Sequence, residues 1–289
     1  MADNDGPFAR STAVRRRGGG DAAARTTGTD ATPGTTVYDT MIVDGWDIGG
    51  NANGGYLLAI VGRAMADHLG RPDPVTVTAH YLSPGQPGDA TVEVTTIREG
   101  RRFATARADL VMGRTVITTL GIFGDLSGDL DGPAGGALRV DAAPPALPPV
   151  QECTAMDDRE GFPPSFMDRV DLRLHPDDAG FARGEPSGEA RVRGWFRFPG
   201  DEPVDTTGLL CVLDAFPPTV FNAELPVAWV PTIEFTAHVR ARPAPGWLAC
   251  EFTTRFVTGG FLEEDGVVWD ATGTLVAQSR QLALVPRAG

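Results

Sequence analysis

Lysine is absent from this 289-residue sequence, in which all 25 basic residues are arginine. Schiff-base and pyridoxal chemistry and the Walker A phosphate loop each require a lysine, so the composition excludes these classes. The formal net charge of −13 argues against a nucleic-acid partner, because phosphate neutralisation requires a basic face. The one dense basic run, residues 15–17, lies in a segment of biased composition.

Cysteine is also scarce, and long apolar runs are missing. Cys153, Cys211 and Cys250 are too far apart in sequence to indicate a zinc pair or a disulfide framework. No run approaches 18 apolar residues, and no apolar region follows the N-terminal arginines, so neither a membrane span nor a secretory signal is expected. We therefore expect a cytoplasmic protein, in which 42% hydrophobic residues suffice for a core.

Two compositionally biased segments divide the chain. Residues 1–36 hold a single aromatic residue among Gly, Ala, Thr, Asp and Arg, and such a segment buries too little surface to offset its ordering entropy, which predicts a disordered tail. Residues 127–164 are rich in Gly, Pro and Ala and are typical of a linker. The predicted structured parts are therefore residues 37–126 and 165–289.

Both parts show the same order of elements: one strand, one helix and then four strands. The first helix is predicted within GYLLAIVGRAMADHLG, where apolar residues recur at helical spacing before Gly70 and Pro72. The predicted strands of the first part are 36–43, 75–82, 90–99, 102–112 and 114–124. In the second part, strands are predicted at 189–199, 231–242, 247–257, 261–271 and 274–285, with a helix at 206–216. This repetition predicts an internal duplication of an α+β unit, a twisted antiparallel sheet wrapped around a central helix.

The last predicted strand contains a polar residue that needs an explanation. In LVAQSRQLALVP, Gln281 alternates with Leu275, Ala277 and Ala283 on a mostly small and apolar face. A buried amide without partners costs about 1–3 kcal/mol, so Gln281 needs hydrogen-bonding neighbours or a function. Gln278 and Arg280 project from the opposite face and compete for the inward position if the parity is reversed.

Several blocks together resemble one known family. GGNANGGYLLAIVGRA, PDPVTVTAHYLSPG and VTTIREGRRFATARADL are similar to the N-terminal signature of the double-hotdog acyl-CoA thioesterases, the thioesterase II and thioesterase-like superfamily. GGFLEEDGVVWDATGTLVAQSRQLALV resembles the closing hairpin of that family. The resemblance spans roughly residues 38–286 and implies a double hotdog fold with hydrolysis of a fatty acyl thioester, acyl-CoA above all, and with no metal or organic cofactor.

The resemblance also implies a set of catalytic residues. In this family an aspartate on the second helix, a threonine on the next strand and a glutamine on the last strand hold the attacking water, and these correspond to Asp214, Thr232 and Gln281. From the residues alone, Asp214 is more typical of a structural carboxylate beside the core, and the resemblance is what favours the catalytic role. Thr236 and Glu234 share the predicted face of Thr232 and remain alternatives to it, Glu234 also as a second carboxylate.

The segment around Asn53, Gly54 and Gly55 is a candidate substrate-binding region. The exposed amides of a helix N-terminus suit a thioester carbonyl or a developing oxyanion, although Asn53 is equally suited to cap the helix. Arginines at predicted turns are candidates for binding the phosphates of CoA, with plain solubility as the alternative. They are Arg98, Arg101, Arg102, Arg240 and Arg242, of which Arg101 and Arg102 are the preferred pair.

Competing activities lack their signatures. The sequence has no G-x-S-x-G elbow of a serine hydrolase, no metal-like histidine spacing, and no Asp-x-Asn-Pro-x-His motif of the hotdog hydratases. Glu234-Phe235 and Leu282-Ala283 depart from the residues more usual in the family at these places. A non-catalytic acyl-CoA or lipid-binding protein, or a partner-binding protein, is therefore the alternative function. A homo-oligomer of double-hotdog protomers is compatible with the fold.

Overall fold

The structure is a computed structural model that describes residues 6–18, 34–127, 143–156, 164–223 and 225–286. The helices are α1 (Pro7–Ser11), α2 (Gly54–Leu69) and α3 (Gly208–Val212). The strands are β1 (Arg15–Arg16), β2 (Thr35–Ile42), β3 (Asp47–Ile48), β4 (Asn51–Ala52), β5 (Asp73–Tyr81), β6 (Gly88–Glu99), β7 (Ala104–Val111), β8 (Thr115–Gly124), β9 (Thr154–Ala155), β10 (Asp171–Leu174), β11 (Arg191–Arg197), β12 (Thr232–Val239), β13 (Leu248–Thr253), β14 (Val257–Thr258), β15 (Phe261–Trp269) and β16 (Leu275–Leu284). Short 3-10 turns lie at Val150–Glu152, Ser165–Arg169, Pro176–Asp178, Gly180–Arg183, Pro199–Asp201 and Thr219–Ala223.

One antiparallel sheet contains both repeats. Its order is β1-β2-β6-β7-β8-β5-β12-β16-β15-β13-β11-β10-β9, and β14 pairs with β15. The first repeat contributes β2-β6-β7-β8-β5, and the second contributes β12-β16-β15-β13-β11, so the two halves run in mirrored order and meet where β5 pairs with β12. Glu234 there lies opposite His80, and His238 lies opposite Thr76. The predicted α+β double hotdog is confirmed.

The helix α2 is the apolar centre of the first repeat. It begins after Asn53, whose side chain accepts a hydrogen bond from the Tyr56 N–H, and ends at Gly70 in the left-handed region. Its buried residues lie on all sides of the helix, because the sheet covers one side and α3 the other. A helix that is apolar all round requires such complete coverage.

The second helix is shorter than the predicted 206–216. The α3 helix covers Gly208–Val212, and the Asp205 carboxylate accepts a hydrogen bond from the Gly208 N–H at 2.7 Å. Pro217 and Pro218 follow, and proline restricts the preceding residue and donates no backbone hydrogen bond. Asp214 therefore lies in the turn that follows α3 rather than within the helix.

The prediction of a disordered tail at residues 1–36 is wrong for residues 6–18 and for the start of β2. Phe8 of α1 is 2% exposed and stacks on Phe198 with ring centroids 4.1 Å apart. Glu202 accepts hydrogen bonds from the Phe8 and Ala9 N–H groups, both at 2.8 Å, and so caps α1 from a distant part of the chain. Composition missed this helix because its stabilising partners, Trp46, Phe198 and Glu202 among them, are distant in sequence. Residues 1–5 and 19–33 lie outside the described residues.

The predicted linker at 127–164 is also partly folded. Residues 143–156 carry β9, which pairs with β10, and the Pro148 carbonyl accepts a hydrogen bond from Trp195 Nε1 at 2.9 Å. This part therefore packs against the second repeat, whereas 128–142 and 157–163 lie outside the described residues. None of the described helices is both long enough and apolar enough to cross a membrane.

Candidate active site

A cavity of about 630 Å³ lies between the N-terminal end of α2 and the second repeat. Both repeats line it, because the turn after α3 and the end of β16 face the residues that precede α2. Its polar lining includes Asn53, Tyr81, Asp214, Thr232, Glu264 and Gln281. Its apolar lining includes Leu57, Met167, Phe216, Phe221, Trp229 and Val230. An apolar cavity with a few convergent polar groups is typical of a small-molecule site.

The Asp214 carboxylate lies at the wall of this cavity and contacts the start of α2. Its Oδ2 accepts hydrogen bonds from the Gly55 N–H at 2.7 Å and from Asn53 Nδ2 at 3.2 Å. Burial, with a smaller contribution from the nearby Glu264, raises the pKa of Asp214 to about 7 against the opposing effect of the two hydrogen bonds. A carboxylate that exchanges its proton near neutral pH is suited to general base catalysis.

Gly55 allows this contact because it has no side chain. A Cβ at this position would lie 2.7 Å from the Asp214 Cβ and 2.8 Å from the Leu210 carbonyl oxygen, closer than packed atoms approach. The N-terminal end of α2 therefore presents its N–H directly to the carboxylate, where the helix dipole favours negative charge.

Asn53 connects the helix cap to the carboxylate. Its Oδ1 accepts a hydrogen bond from the Tyr56 N–H at 2.8 Å, and its Nδ2 donates to the Asp214 carbonyl oxygen, also at 2.8 Å. The capping interpretation of Asn53 is therefore confirmed. Both ends of the side-chain amide are engaged within the protein, so a direct ligand role for Asn53 gains no support from the geometry.

Gly54 and Tyr81 form the neighbouring wall of the cavity. The Tyr81 hydroxyl donates a hydrogen bond to the Gly54 carbonyl oxygen at 3.0 Å. Burial, with the nearby Asp214 as a smaller contribution, raises the pKa of Tyr81 well above its ordinary value. Tyr81 therefore stays a neutral hydrogen-bond donor beside Asp214.

Thr232 and Gln281 meet on the opposite wall. The Thr232 hydroxyl donates to Gln281 Oε1 at 2.9 Å, and Gln281 is 8% exposed. A register shift between Thr232 and Glu234 marks a β-bulge in the pairing of β12 with β16. Because the bulge changes the alternation along β12, Thr232 reaches the cavity from the end of that strand.

The two alternatives on β12 lie elsewhere. The Thr236 hydroxyl lies 3.0 Å from the Thr78 hydroxyl and donates to Glu234 Oε1 at 2.6 Å. Neither Thr236 nor Glu234 lines the cavity. The expectation that both share the face of Thr232 is wrong, because simple alternation does not account for the bulge.

A buried carboxylate that the sequence interpretation missed completes the polar wall. Glu264 of β15 is 6% exposed, its Oε1 accepts from Gln281 Nε2 at 3.0 Å, and its Oε2 accepts from the Thr219 N–H at 2.8 Å. Burial raises the pKa of Glu264. The strand FLEEDGVVW contained a usable signal, because Glu264 alternates with Leu262 and Gly266 on the buried face.

The structure does not bring Arg101 and Arg102 to the cavity. Both follow β6, and the Arg101 carbonyl oxygen accepts a hydrogen bond at 3.5 Å from a guanidinium nitrogen of Arg71, which lies just past the C-terminal end of α2. The cavity lies at the opposite end of this 16-residue helix, about 24 Å away at 1.5 Å per residue. Arg242 is engaged with Asp73 and Asp125. The described residues contain no cluster of three or more His, Cys, Asp or Glu able to hold a metal ion.

Two sequence profiles cover most of the chain. The acyl-CoA thioesterase N-terminal domain matches residues 42–124, and the acyl-CoA thioesterase C-terminal domain matches residues 150–285. The chain belongs to the acyl-CoA thioesterase family. Residues of both matched domains line the cavity. Asn53 lies in the N-terminal domain, and the C-terminal domain contains Asp214, Thr232, Glu264 and Gln281.

Known proteins resemble this thioesterase-family chain in sequence and in fold. The chain is 30% identical to a candidate thioesterase II from Thermobifida fusca, with a TM-score of 0.79 over 97% of this chain and 98% of that one. A hot dog fold protein of unknown function from Alicyclobacillus acidocaldarius is 19% identical and superposes with a TM-score of 0.78 over 98% of each chain. An uncharacterised protein of Mycobacterium tuberculosis is 28% identical over 273 residues, which is 88% of this chain and 92% of the relative.

Proposed function

We propose that the protein hydrolyses acyl thioesters, with acyl-CoA as the substrate class, and that Asp214 is the general base. One observation carries the proposal: a carboxylate with a pKa of about 7 lines an apolar cavity together with the paired side chains of Thr232 and Gln281. Membership of the acyl-CoA thioesterase family supports the reaction class.

The reaction needs one water and no covalent intermediate. Asp214 accepts a proton from the water while the water oxygen attacks the thioester carbonyl carbon, and the C–S bond then breaks. The thiolate leaves with a proton returned from Asp214, which balances the products as a carboxylic acid and a thiol. Thr232 and Gln281 hold the water in line with the carbonyl, since positioning of this kind supplies much of the rate enhancement.

The developing negative charge on the carbonyl oxygen needs a donor. Gly54 occupies the first position of α2 and lines the cavity, and its N–H has no hydrogen-bond acceptor among the described residues. The N-terminal end of a helix stabilises an anion through such free N–H groups. We assign the carbonyl oxygen of the substrate to this N–H, whereas the N–H of Gly55 is already used by Asp214.

The acyl chain occupies the apolar part of the cavity. Phe216, Phe221 and Trp229 line this part together with Leu57 and Met167. Contact with aliphatic and aromatic side chains favours a hydrocarbon chain by about 25 cal/mol per Å² of surface removed from water. The proposal therefore concerns fatty acyl groups rather than small polar acids.

The test is thiol release from acyl-CoAs of increasing chain length. Asp214→Asn should reduce turnover by about 10²- to 10⁴-fold, and Thr232→Val should reduce it less. Thr236→Val is the matched control on the same strand, since Thr236 lies outside the cavity. Folded protein that binds acyl-CoA but releases no thiol would refute the hydrolase and identify an acyl-binding protein instead.

A further inference from the structure

We propose that Glu264 is a positioning residue of this site, which fixes the orientation of the Gln281 amide and places a second carboxylate on the cavity that Asp214 lines. This inference rests on the proposed function for its kinetic consequences. Its structural basis is independent of that function, because it follows from a continuous chain of hydrogen bonds across three strands and one turn.

The chain runs from Thr232 through Gln281 to Glu264 and Thr219. The Thr232 hydroxyl donates to Gln281 Oε1, Gln281 Nε2 donates to Glu264 Oε1, and the Thr219 N–H donates to Glu264 Oε2, all between 2.8 and 3.0 Å. The Thr219 hydroxyl is anchored in turn 2.7 Å from the Thr254 hydroxyl. Gln281 and Glu264, the two inner members, each have a partner on both sides, so the chain specifies one arrangement.

Glu264 determines which end of the Gln281 amide faces the strand β15. An ionised carboxylate only accepts hydrogen bonds, so it selects the NH₂ end and directs the carbonyl oxygen to the Thr232 hydroxyl. A neutral amide at position 264 both donates and accepts hydrogen bonds, so it would pair equally well with either end of the Gln281 amide. The Gln281 amide has a second N–H besides the one that donates to Glu264. The orientation of the amide also fixes the direction of this second N–H.

The carboxylate of Glu264 is suited to be ionised although it is buried. Both of its oxygens accept a hydrogen bond from an N–H group, one from Thr219 and one from Gln281, and these bonds oppose the effect of burial on the pKa of Glu264. A protonated carboxyl group would have to donate from one of these oxygens. The donors around Glu264 therefore match the charged form.

The charge of Glu264 acts on Asp214 through the cavity. Among the groups that act on Asp214, the Gly55 N–H and the Asn53 amide lower its pKa, whereas Glu264 is the carboxylate that raises it. The other titratable groups near Asp214 are Tyr81 on β5 and Cys211 on α3, and Glu234 on β12 is near Tyr81. Burial and, to a smaller extent, the charge of Asp214 raise the pKa of Tyr81 and of Cys211. A negative charge beside a base makes that base hold its proton more tightly.

The experiment compares Glu264→Gln with Glu264→Asp and uses Glu263→Gln as the matched control. Glu263 is the next residue of β15 and points outward, where it accepts hydrogen bonds from the Arg255 N–H. Thiol release is measured as kcat and KM from pH 5 to pH 9. Glu264→Gln should lower kcat by about 10- to 100-fold with little change in KM, and should move the acidic limb of kcat/KM to lower pH. Glu264→Asp should lower kcat but keep the acidic limb in place, because it keeps the charge and shortens the reach.

A double-mutant cycle tests whether Glu264 acts through Gln281. If it does, Glu264→Gln should cost much less in kcat in a Gln281→Ala background than in the wild type. Additive effects, or a Glu264→Gln variant with the wild-type kcat and pH profile, would overturn the proposal. If Glu264→Gln does not fold, the same cycle is measured with Glu264→Asp, and additive effects of Glu264→Asp and Gln281→Ala on kcat would overturn the proposal.

A measurement without catalysis separates this proposal from the proposed function. The pH dependence of unfolding reports the proton affinity of Asp214 whether or not the protein hydrolyses anything. The contribution of Asp214 to this pH dependence is the difference in the free energy of unfolding between a protein with Asp214 and the same protein with Asp214→Asn. In the Glu264→Gln background, the contribution of Asp214 should change with pH around a lower midpoint than in the wild type. An unchanged midpoint would contradict the influence of Glu264 on Asp214. A wild type without thioesterase activity would refute the proposed function alone.

Discussion

Replacing Asp214 by asparagine should stabilise the folded protein while it abolishes most turnover. The carboxylate has an ordinary pKa of 3.8 and a folded-state pKa of about 7, chiefly because burial disfavours its charge. An asparagine keeps an oxygen for the Gly55 N–H and has no charge to bury. The substitution therefore removes a cost of folding that the wild-type protein carries in order to hold a base in its cavity.

The size of this effect depends on pH in a defined way. Since the folded state holds the proton more tightly than the unfolded state, the stability of the wild type falls as the pH rises from about 4 to about 7. One pKa unit corresponds to about 1.36 kcal/mol, so the full difference between 3.8 and about 7 is about 4 kcal/mol. Water in the cavity reduces this to about 2–4 kcal/mol.

The assay is chemical denaturation of wild type and Asp214→Asn at pH 5 and pH 8.5. The variant should gain about 2–3 kcal/mol more in free energy of unfolding at pH 8.5 than at pH 5. Asp205→Asn, which alters an aspartate that caps α3 outside the cavity, is the control and should lose stability at both values. A gain for Asp214→Asn that is independent of pH, or a loss at pH 8.5, would refute the reasoning from burial.

Three further outcomes are expected. The kcat/KM of thiol release should fall below pH of about 7, because Asp214 is then protonated and no longer a base; a profile flat down to pH 5 would contradict that role. Gly55→Ala should lower both stability and turnover, as denaturation and thiol release would show, because its Cβ would lie 2.7 Å from the Asp214 Cβ; a fully active and stable variant would disprove the close contact. Phe8→Ala should cost about 3–5 kcal/mol in denaturant titration, since the ring is 2% exposed and packs on Phe198 and Trp46; a change below about 1 kcal/mol would mean that α1 is not docked in solution.

The repeated architecture was predictable because both repeats show the same two signals, which are the hydrophobic periodicity of their elements and the turn residues between them. The helix α2 has strong local signals at both ends, in Asn53 and Gly70, and its bounds are close to those predicted. The helix α3 depends instead on tertiary contacts over five residues and was predicted too long. The hydrophobic periodicity of the sequence does not show where a helix is stabilised by tertiary packing rather than by its own helix propensity.

Within the site, the residues carried over from the family resemblance lie on one cavity, yet three features were missed or misplaced. The bulge after Thr232 is a property of the pairing between β12 and β16 and has no local signature in the strand. Arg101 and Arg102 were chosen for charge and turn position, which do not indicate the end of the helix at which a turn lies. Glu264 was overlooked although it alternates with Leu262 and Gly266 on the buried face of β15.

The edge-to-edge junction of β5 with β12 has a consequence for how such a protein can diversify. In an assembly of two identical single repeats, symmetry would make both helix ends the same, so any substitution would appear at both places. In this chain the Gly55 N–H meets Asp214, whereas the Gly208 N–H meets Asp205, and Phe8 lies against the second helix end. Covalent fusion has made the two helix ends different: one contacts the Asp214 carboxylate at the cavity, and the other anchors the N-terminal segment. Under the proposed function, each chain would bind one acyl group.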